Sequence, residues 1–575
     1  MEQYTGSRIL VEALIVQGVD TIFGYPGGAV LNIYDELYKH QDRIRHILVS
    51  HEQYAAHAAD GYARATGKTG VCLATSGPGA TNLVTGIATA YMDSVPVVAI
   101  TGNVSTDLLG KDSFQEVDIA GITMPVVKHN WIVKDVADLA EIVREAFLVA
   151  QSGRPGPVLI DIPKDITANK TDISSLFADS KVMKERAVRL AGRESRVLYT
   201  NDDIQHAVNL ITSAKRPVIY AGGGVILSNA SDELREFAER IDAPVALSLM
   251  ALGAMPSGHR LFTGMIGMHG TVASNKAVQN SDLLITVGAR FSDRVTSRVH
   301  DFAKNAKILQ FDIDRAEINK NISTAAHVAG DLKPILRKVL ESLPASFRNE
   351  WGGAVQLWKE HTPKAHHLKT TLHPRFVIGT VANRLETGGT AEAQPPIIVT
   401  DVGQHQMWTA QFYPLNRPRS FLTSGGLGTM GFGLGAALGA KIACPDRPVV
   451  LFTGDGSFRM NCGELATFSA YGLGILIVIL NNHVLGMVRQ WQTLFYEKRF
   501  SNTVLNRPPD FVMLAEAYGA AGYRAADKDS FTAALTAALL DIAGGKTALI
   551  DAQIDSNEVV LPMVPGGKPI DEQIM

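Results

Sequence analysis

Residues 448–457 read Pro448-Val449-Val450-Leu451-Phe452-Thr453-Gly454-Asp455-Gly456-Ser457. An apolar, β-branched run that ends in a glycine-rich turn is typical of a strand buried on both faces of a parallel sheet. The next such run, Ile475-Leu476-Ile477-Val478-Ile479-Leu480, ends in Asn481-Asn482. The intervening residues 462–471 are long enough for the crossover helix that places parallel strands side by side. We therefore predict neighbouring strands whose carboxyl ends present a carboxylate and a carboxamide.

The same alternation of short apolar runs and helical patterns extends along nearly the whole chain. Polar or irregular composition interrupts it at about 166–203 and again at about 344–396. A chain of 575 residues is too long for a single core, and three segments of this size match ordinary domains. The sequence predicts an α/β protein with three doubly wound parallel-sheet domains, residues 1–180, 190–345 and 370–555, followed by a tail, 556–575.

Composition excludes several classes of protein. The net charge is −3, which gives no electrostatic footprint for nucleic acid or an anionic membrane. The longest purely apolar run has six residues, far too few to span a bilayer. Three scattered cysteines are too few for a disulfide framework or a cysteine-ligated metal site. We expect a cytoplasmic protein without a signal peptide that binds neither nucleic acid nor membranes.

Asp455 and Asn482 offer hard oxygen ligands at two strand ends. Such ligands, too few to enclose a cation, suit a Mg²⁺ whose coordination is completed by phosphate oxygens. Either motif alone favours an ordinary polar turn, whereas the two together after buried strands favour a metal site. Gly454-Asp455-Gly456 followed by Asn481-Asn482 resembles the signature of thiamine diphosphate enzymes.

That resemblance assigns a cofactor site to the last domain. It implies that Mg²⁺ is ligated by Asp455, Asn482 and a backbone carbonyl at Val484, and that the cation anchors the cofactor's diphosphate. Met430 matches the apolar side chain that bends the cofactor. The residues assigned to this cofactor are Gly403, Gln404, His405, Gly428, Met430, Gly454, Asp455, Gly456, Ser457, Asn482 and Met487.

Glu52 follows the apolar run 46–49 at a strand-to-helix junction. Taken alone, it is equally well a first-turn acid favoured by the helix dipole. Beside a thiamine site, the resemblance implies that its carboxyl group bonds the pyrimidine ring nitrogen and so promotes formation of the carbanion. Because Glu52 and Asp455 lie in different domains, which pair across two chains in this superfamily, the resemblance also implies a homodimer or tetramer with active sites at the chain interface.

A second cofactor is indicated in the middle domain. The run 218–221 leads into Gly222-Gly223-Gly224, and the run 308–311 ends in Asp312-Ile313-Asp314. A phosphate-cradling turn and a strand-end acid in one α/β domain indicate an adenine dinucleotide. A middle domain that is only structural remains the alternative.

Further segments resemble the catalytic subunit of the acetohydroxyacid synthase (acetolactate synthase) family across nearly the full chain. They are Tyr25-Pro26-Gly27-Gly28-Ala29, Phe114-Gln115-Glu116, Gly267-Met268-His269-Gly270, Phe291-Ser292-Asp293-Arg294 and 485–492. The resemblance implies FAD without net redox chemistry and a small regulatory subunit. It assigns to FAD the residues Arg154, Gly222, Gly223, Gly224, Gly267, Met268, His269, Gly288, Arg290, Asp312, Ile313 and Asp331.

The family's reaction is expected here. Pyruvate loses CO₂ on thiamine diphosphate, and the hydroxyethyl carbanion adds to a second 2-oxo acid, giving 2-acetolactate from pyruvate or 2-aceto-2-hydroxybutyrate from 2-oxobutyrate. This is the first common step of branched-chain amino acid biosynthesis. The residues assigned to catalysis and substrate are Glu52, Gly28, Gln115, Lys128, Arg294 and Trp491. Arg294 would bind the incoming carboxylate and Trp491 would favour the larger substrate; a surface ion pair and ordinary core packing are the respective alternatives.

Three other functions compete with this reading. A thiamine- and flavin-dependent oxidase would use FAD for electrons. Glyoxylate carboligase replaces the acid, so Glu52 argues against it. A catalytically silent paralogue is disfavoured because Glu52, Asp455 and Asn482 are all present. Ser105 and Ser292 depart from the commoner family residues, which leaves inhibitor sensitivity open.

Overall fold

The computed structural model describes residues 3–575 except 173–198, 346, 348, 350, 361–371, 387–393 and 508. Much of both predicted linkers, and with them the exact boundaries at 180, 190 and 370, therefore lies outside the described residues. The remaining chain forms three six-stranded sheets, each built from one of the three predicted segments.

The N-terminal sheet has the order β3-β2-β4-β5-β7-β6, and every neighbouring pair is parallel. A two-stranded antiparallel pair, β1 with β8, lies beside it. The strands are β1 (Gln3–Thr5), β2 (Thr21–Gly24), β3 (Arg45–Leu48), β4 (Gly70–Ala74), β5 (Val97–Asn103), β6 (Asn130–Ile132), β7 (Val158–Pro163) and β8 (Lys170–Asp172). The α-helices span Gly6–Val16, Leu31–Lys39, Glu52–Thr66, Pro78–Asn82, Val84–Asp93, Ile119–Thr123, Leu139–Gln151 and Lys164–Ala168.

The central sheet has the order β11-β10-β9-β12-β13-β14, again with parallel pairs. Numbered from its own first strand, this is the 3-2-1-4-5-6 order of dinucleotide-binding folds. The strands are β9 (Pro217–Ala221), β10 (Val245–Leu247), β11 (Phe262–Met265), β12 (Leu283–Val287), β13 (Lys307–Asp312) and β14 (Ala326–Ala329). The α-helices span Asn201–Ser213, Gly224–Leu227, Ser231–Ile241, Val272–Gln279, Asp293–Thr296, Leu332–Ser342 and Trp351–Glu360.

The C-terminal sheet has the order β16-β15-β17-β18-β20-β19 and the same internal strand order as the N-terminal sheet. Its neighbouring pairs are parallel as well. The strands are β15 (Ile397–Thr400), β16 (Phe421–Leu422), β17 (Val449–Gly454), β18 (Leu476–Asn481), β19 (Ala521–Ala525) and β20 (Ala548–Gln553). The α-helices span Pro374–Glu386, Gln404–Phe412, Gly433–Ala443, Asp455–Phe458, Leu465–Ala470, Gly486–Phe495, Phe511–Ala517 and Lys528–Ala543.

The short 3-10 helices span Gly28–Val30, Thr106–Leu108, Met124–Val126, Val136–Asp138, Leu249–Ala251, Val299–Asp301, Arg315–Glu317 and Cys462–Glu464. None of the helices in the described ranges combines the length and the apolar character that crossing a bilayer requires.

The second predicted irregular region is wrong in part, because it contains the helices Trp351–Glu360 and Pro374–Glu386. The second helix buries Val377, Ile378 and Val381, an apolar face at helical spacing that the sequence analysis missed. The first polar stretch likewise contains β8, whose three residues pair with the N-terminal β1.

The N- and C-terminal domains share one apolar core. The helix Glu52–Thr66 packs on Gly433–Ala443 so closely that a Cβ at Gly439 would overlap the Ala58 carbonyl oxygen. Beside this contact, Asp93 accepts the amides of Gly425 and Gly426 at 3.1 and 2.7 Å and is paired with Arg64 at 2.9 Å. Removing one partner of such a buried pair leaves an uncompensated charge, so the pair fixes how the two domains meet.

Candidate active site

All three sheets have a point at which strand order reverses. In the N-terminal sheet the chain goes from β2 to β3 on one side of β2 and then to β4 on its other side. In the C-terminal sheet β15 lies in the same way between β16 and β17. In the central sheet β9 lies between β10 and β12. Ligands of open α/β sheets bind in the crevice beyond the strand ends at this point. Many of the predicted site motifs follow these strands, while Asn482 and Asp312 lie at the ends of the neighbouring β18 and β13, so the topology predicts where each ligand lies.

Asp455 and Asn482 lie at the same edge of the C-terminal sheet. β17 and β18 are neighbours with Gly454 opposite Leu480, so both side chains follow directly from paired strand ends. Asp455 is 1% exposed, and its Oδ2 has no hydrogen-bond partner among the described residues. Burial raises its pKa to about 6. A buried carboxylate oxygen without a partner is costly unless a cation or a polar ligand satisfies it.

Asn482 is held with its amide oriented. Its Nδ2 donates to Gln404 Oε1 at 3.0 Å, and its Oδ1 accepts the Val484 amide at 3.3 Å. Between them, His483 has φ +57°, which turns the chain sharply after the strand. The turn brings Val484 back beside Asn482, so two of the three predicted metal ligands share one turn.

The turn after β15 contacts the Asp455 helix. Ser457 Oγ donates to the Val402 carbonyl at 2.8 Å, which ties the Gly403-Gln404-His405 turn to Gly454-Asp455-Gly456. The His405 ring is buried between Gly403 and Gly454. Burial lowers the pKa of His405 to about 3, so the ring is neutral, and its Nε2 has no partner in the described chain. The turn thus offers a polar ring atom without adding charge.

Met430 lies near Gly456, and an acid that the sequence pattern did not reveal, Asp401, fixes the backbone that follows it. A Cβ on Gly456 would lie 3.9 Å from Met430 Cε. Asp401, fully buried at the end of β15, accepts the amides of Val402 and Gly431 at 2.9 Å each and that of Gly433 at 3.4 Å. The only sequence signal was an acid directly after an apolar run, because Gly431 and Gly433, its contacts beyond the adjacent Val402, are about 30 positions away.

Met487 and Trp491 lie on the helix Gly486–Phe495, which follows the Asn482 turn. Both side chains are partly buried. The Trp491 ring packs on Phe495 with ring centroids 5.1 Å apart, and it also faces Gly566 of the tail. Trp491 is therefore only partly buried, and its role as an apolar wall stays a prediction.

Glu52 begins the helix Glu52–Thr66 at the end of β3 and is half-buried. Its Oε2 accepts Asn82 Nδ2 at 2.9 Å, and a Cβ on Gly79 would lie 3.2 Å from its Oε1. Asn82 is a second residue for which the sequence pattern predicts no role. Glu52 is thereby fixed against the loop that follows β4, at the reversal point of the N-terminal sheet.

Gly28 and Gln115 belong to the same edge. Thr75, after β4, accepts the Ala29 amide at 3.4 Å, and Gly28 has open space beside it. Gln115 has φ +59° and its backbone lies against Gly77. The structure therefore brings Glu52, Gly28 and Gln115 to one surface through the 75–82 loop.

Lys128 and Arg154 lie apart from this group. The Lys128 ammonium donates to the carbonyls of Val149 and Ser152, both at 2.6 Å, and so caps a helix end. Arg154 bonds Asp314 at 3.3 Å and Glu317 at 2.9 Å in the central domain. Arg154 thus lies beside the Asp312-Ile313-Asp314 turn, while its contact with FAD and the substrate role of Lys128 stay predictions.

The predicted FAD residues gather at the reversal point between β9 and β12. A Cβ on Gly222 would overlap the Gly288 carbonyl oxygen, so the two turns meet backbone to backbone beside Gly223 and Gly224. Asp312 closes the neighbouring β13 and is 7% exposed. Burial raises its pKa to about 6. Asp331 lies further out, where its carboxylate bonds the Ser228 hydroxyl.

A second group connects the central domain to the other two. Arg290 Nη2 donates to the Met92 carbonyl at 3.0 Å. Met268 donates its amide to the Arg294 carbonyl at 2.8 Å, and the Arg294 side chain is largely exposed. Buried His269 has a pKa lowered to about 4 by burial, and its Nδ1 has no partner in the described chain. Met268 also accepts the Val564 amide, so the tail covers this group.

Family models of thiamine pyrophosphate enzymes match most of the chain. The model of the N-terminal TPP binding domain matches residues 4–122, that of the central domain 204–339, and that of the C-terminal TPP binding domain 401–552. Each matched range contains one of the three sheets or most of it.

Curated relatives are similar over almost their full length. The acetolactate synthase large subunit of Buchnera aphidicola subsp. Acyrthosiphon pisum (strain APS) is 45% identical over 573 residues, 99% of this chain and 98% of that protein. The acetolactate synthase isozyme 3 large subunit of Escherichia coli (strain K12) is 43% identical over 100% of this chain and 98% of its own length. The probable acetolactate synthase large subunit of Methanocaldococcus jannaschii is 48% identical over 98% of this chain and 94% of its own length.

Together with the three parallel sheets and the motifs at their reversal points, these similarities show that the chain is a thiamine diphosphate-dependent enzyme and belongs to the family of acetolactate synthase large subunits.

Proposed function

We propose that this chain forms 2-acetolactate from two molecules of pyruvate, and 2-aceto-2-hydroxybutyrate from pyruvate and 2-oxobutyrate. The observation that carries the proposal is the edge of the C-terminal sheet, where Asp455 keeps a buried oxygen that none of the described residues bonds, beside the oriented Asn482 amide. When bound, thiamine diphosphate supplies the carbanion nucleophile and the electron sink for decarboxylation. The chain's residues bind, orient and exchange protons around it.

The metal and phosphate roles belong to the C-terminal domain in this proposal. Asp455, Asn482 and the Val484 carbonyl hold Mg²⁺, a donor set that requires phosphate oxygens to complete an octahedron. The described residues contain no group of three His, Cys, Asp or Glu side chains that would hold a metal alone, in keeping with a shared site. Neutral His405 and the Gly403 turn face the phosphates, and Met430, held by Asp401, supports the rings.

The acid role belongs to Glu52 of the N-terminal domain. A carboxyl group bonded to the pyrimidine ring holds the proton there, and Asn82 keeps that carboxyl group in place. Gly28 and Gln115 line the same pocket. Because Glu52 and Asp455 lie in different domains, we propose that two chains build each site, so the functional unit is a homodimer or a tetramer.

FAD fits the central domain. The 3-2-1-4-5-6 strand order, the backbone contact between the Gly222 and Gly288 turns, and buried Asp312 form the usual elements of a dinucleotide site. Arg290, Arg154, Met268 and His269 surround it. We propose that this FAD has a structural role. The domain limits 1–180, 190–345 and 370–555, with the tail from 556, belong to the same proposal.

Substrate selection is proposed for Arg294 and Trp491. Exposed Arg294 meets the incoming carboxylate, and Trp491 offers an apolar wall to the ethyl group of 2-oxobutyrate. One methylene in such a pocket is worth about 1–3 kcal/mol. The names of the relatives, large subunits throughout, support a small-subunit partner for this chain as well.

The proposal is tested by competition between pyruvate and 2-oxobutyrate, with product analysis for the wild type and Trp491→Leu. We expect both products, dependence on thiamine diphosphate and Mg²⁺, no oxygen uptake, and a lower share of 2-aceto-2-hydroxybutyrate in the variant. Oxygen uptake that matches pyruvate consumption would identify an oxidase instead, and unchanged product ratios would refute the role of Trp491.

A further inference from the structure

The strand that carries Glu52 lies at the edge of its sheet. Among the described strands β3 pairs only with β2, and on that inner side the Val49 amide donates to the Gly24 carbonyl at 3.2 Å. Successive residues of a strand present their amides to opposite sides. The amides of Leu48 and Ser50 therefore point away from the sheet, where the described part of their own domain provides no partner strand.

Two side chains of the C-terminal domain satisfy these outward amides. The Leu48 amide donates to the Tyr471 hydroxyl at 2.9 Å, and the Ser50 amide donates to Glu464 Oε2 at 3.1 Å. Ser50 Oγ adds a bond to the Gly463 carbonyl at 3.0 Å. The C-terminal domain thus fixes the strand end two residues before Glu52, in the place of a neighbouring strand.

Glu464 is an acid in a fully buried position. It is 0% exposed, and its Oε1 has no hydrogen-bond partner within the described residues. Burial raises its pKa to about 7 against the hydrogen bonding that lowers it. Keeping a carboxyl group here costs folding free energy, because a fully buried acid is neutralised or pays for its desolvation.

The same turn also contacts the segment that carries Met430. Asn461, three residues before Glu464, donates its Nδ2 to the Gly431 carbonyl at 3.0 Å, directly after Met430. The turn Asn461–Glu464 therefore contacts both the segment that carries Met430 and the segment that carries Glu52. One short piece of chain therefore sets the position of proposed cofactor contacts from two domains, which in the proposed dimer belong to two different sites.

We propose that Glu464 is a positioning residue: its carboxyl oxygen holds the outer amide of the β3 edge strand and thereby places Glu52. This rests on the proposed function of Glu52. Glutamine keeps an acceptor oxygen of the same reach, whereas alanine removes it. Comparing the two substitutions therefore distinguishes a role of the acceptor oxygen from a role of the acidic proton.

The test measures two properties of the full-length chain: hydrogen–deuterium exchange of residues 46–53 without added cofactor, and acetolactate formation by the cofactor-loaded enzyme. For Glu464→Ala we expect faster exchange of the Leu48 and Ser50 amides and a fall in kcat of roughly ten-fold, since a misplaced reacting group costs up to about 10²-fold. Glu464→Gln should restore both. Tyr471→Phe removes the acceptor of the Leu48 amide but keeps the ring. It should therefore speed exchange of the Leu48 amide without leaving a cavity.

Matched controls separate local from general effects. Glu233→Ala removes a buried glutamate of the central domain, and Tyr413→Phe removes a buried hydroxyl that donates to Glu386; neither should alter exchange of residues 46–53. Unchanged exchange in both Glu464→Ala and Tyr471→Phe would overturn the proposal. So would a Glu464→Gln enzyme as slow as Glu464→Ala, because the proton and not the acceptor oxygen would then be required. An inactive wild type would refute the proposed function, yet the exchange measurement would still decide the positioning.

Discussion

Glu52 and Asp455 are both carboxylates that follow a strand, and their surroundings give them different roles. Glu52 is half-buried, with one oxygen bonded to Asn82 and its other oxygen beside Gly79. Asp455 is buried, with one oxygen lacking a partner in the described chain. The first arrangement suits an acid that exchanges a proton with a ligand, and the second suits a metal ligand.

Replacing Glu52 with glutamine keeps the shape and the bond from Asn82 but removes the acid. We expect kcat for acetolactate formation to fall by at least about 100-fold, since a positioned acid contributes about 10²–10⁴-fold. Cofactor binding should change much less, because the Asp455 edge is intact. Titration of thiamine diphosphate alongside steady-state assays would check both.

Glu12→Gln is the matched control, because this glutamate pairs with Arg43 on the same domain, away from the β2–β4 crevice. Its kcat should equal that of the wild type. Full turnover by Glu52→Gln would remove the acid role from Glu52.

His57 is buried in the helix Glu52–Thr66, and its titration makes the free energy of unfolding depend on pH. Burial lowers its pKa to about 3, while an unfolded histidine titrates near 6.5. Between these values the unfolded chain binds the proton and the folded chain does not, so the free energy of unfolding falls as the pH falls below 6.5. From pH 7.5 to pH 5, His57 should account for about 2 kcal/mol of that fall.

His57→Gln should therefore lose less stability between pH 7.5 and pH 5 than the wild type does, measured by urea unfolding. His300→Gln, at a histidine whose side chain is 93% exposed, should leave the pH dependence unchanged. Parallel curves for the wild type and His57→Gln would contradict the assignment.

At the scale of elements, the two small-residue helices Glu52–Thr66 and Gly433–Ala443 make the closest contact between domains. Gly439 lies where a methyl group would overlap the Ala58 carbonyl oxygen, whereas Gly379, in the helix Pro374–Glu386, has no neighbour among the described residues within 4 Å of its Cβ position. The same substitution, glycine to alanine in a helix, thus meets opposite surroundings at the two sites.

Gly439→Ala should lower the free energy of unfolding by about 1–3 kcal/mol through overpacking. Gly379→Ala should raise it by up to about 1 kcal/mol, because alanine is the better helix former. Thermal and urea unfolding of both variants would check the pair; equal effects at the two positions would argue against the close helix contact.

Strands and their ends were predictable from sequence, because a continuous apolar run and the glycine or polar residues that end it are local features of the chain. β17 and β18, with Asp455 and Asn482 after them, are where the pattern predicts. Asp401 and Glu464 were not predictable, because each acquires its role from backbone amides that are distant in sequence, at Gly431 and at Ser50. The helix Pro374–Glu386 was missed because the surrounding composition is irregular.

At the scale of the whole molecule, the N- and C-terminal sheets share one strand order without a sequence repeat, while the central sheet has the dinucleotide-binding order. Two related domains can therefore face each other across a crevice, one bringing the acid and the other the metal ligands. Each chain contains one domain of both kinds. In a symmetric dimer, each of the two sites therefore combines the acid-bearing domain of one chain with the metal-binding domain of the other.

The most direct test mixes two inactive variants, Glu52→Gln and Asp455→Asn, unfolds and refolds them together, and measures acetolactate formation. If each site takes Glu52 from one chain and Asp455 from its partner, half the dimers are mixed and one of their two sites is intact, so about a quarter of wild-type activity returns. Activity no higher than that of either variant alone, with mixed dimers demonstrated by mass spectrometry, would contradict the shared site.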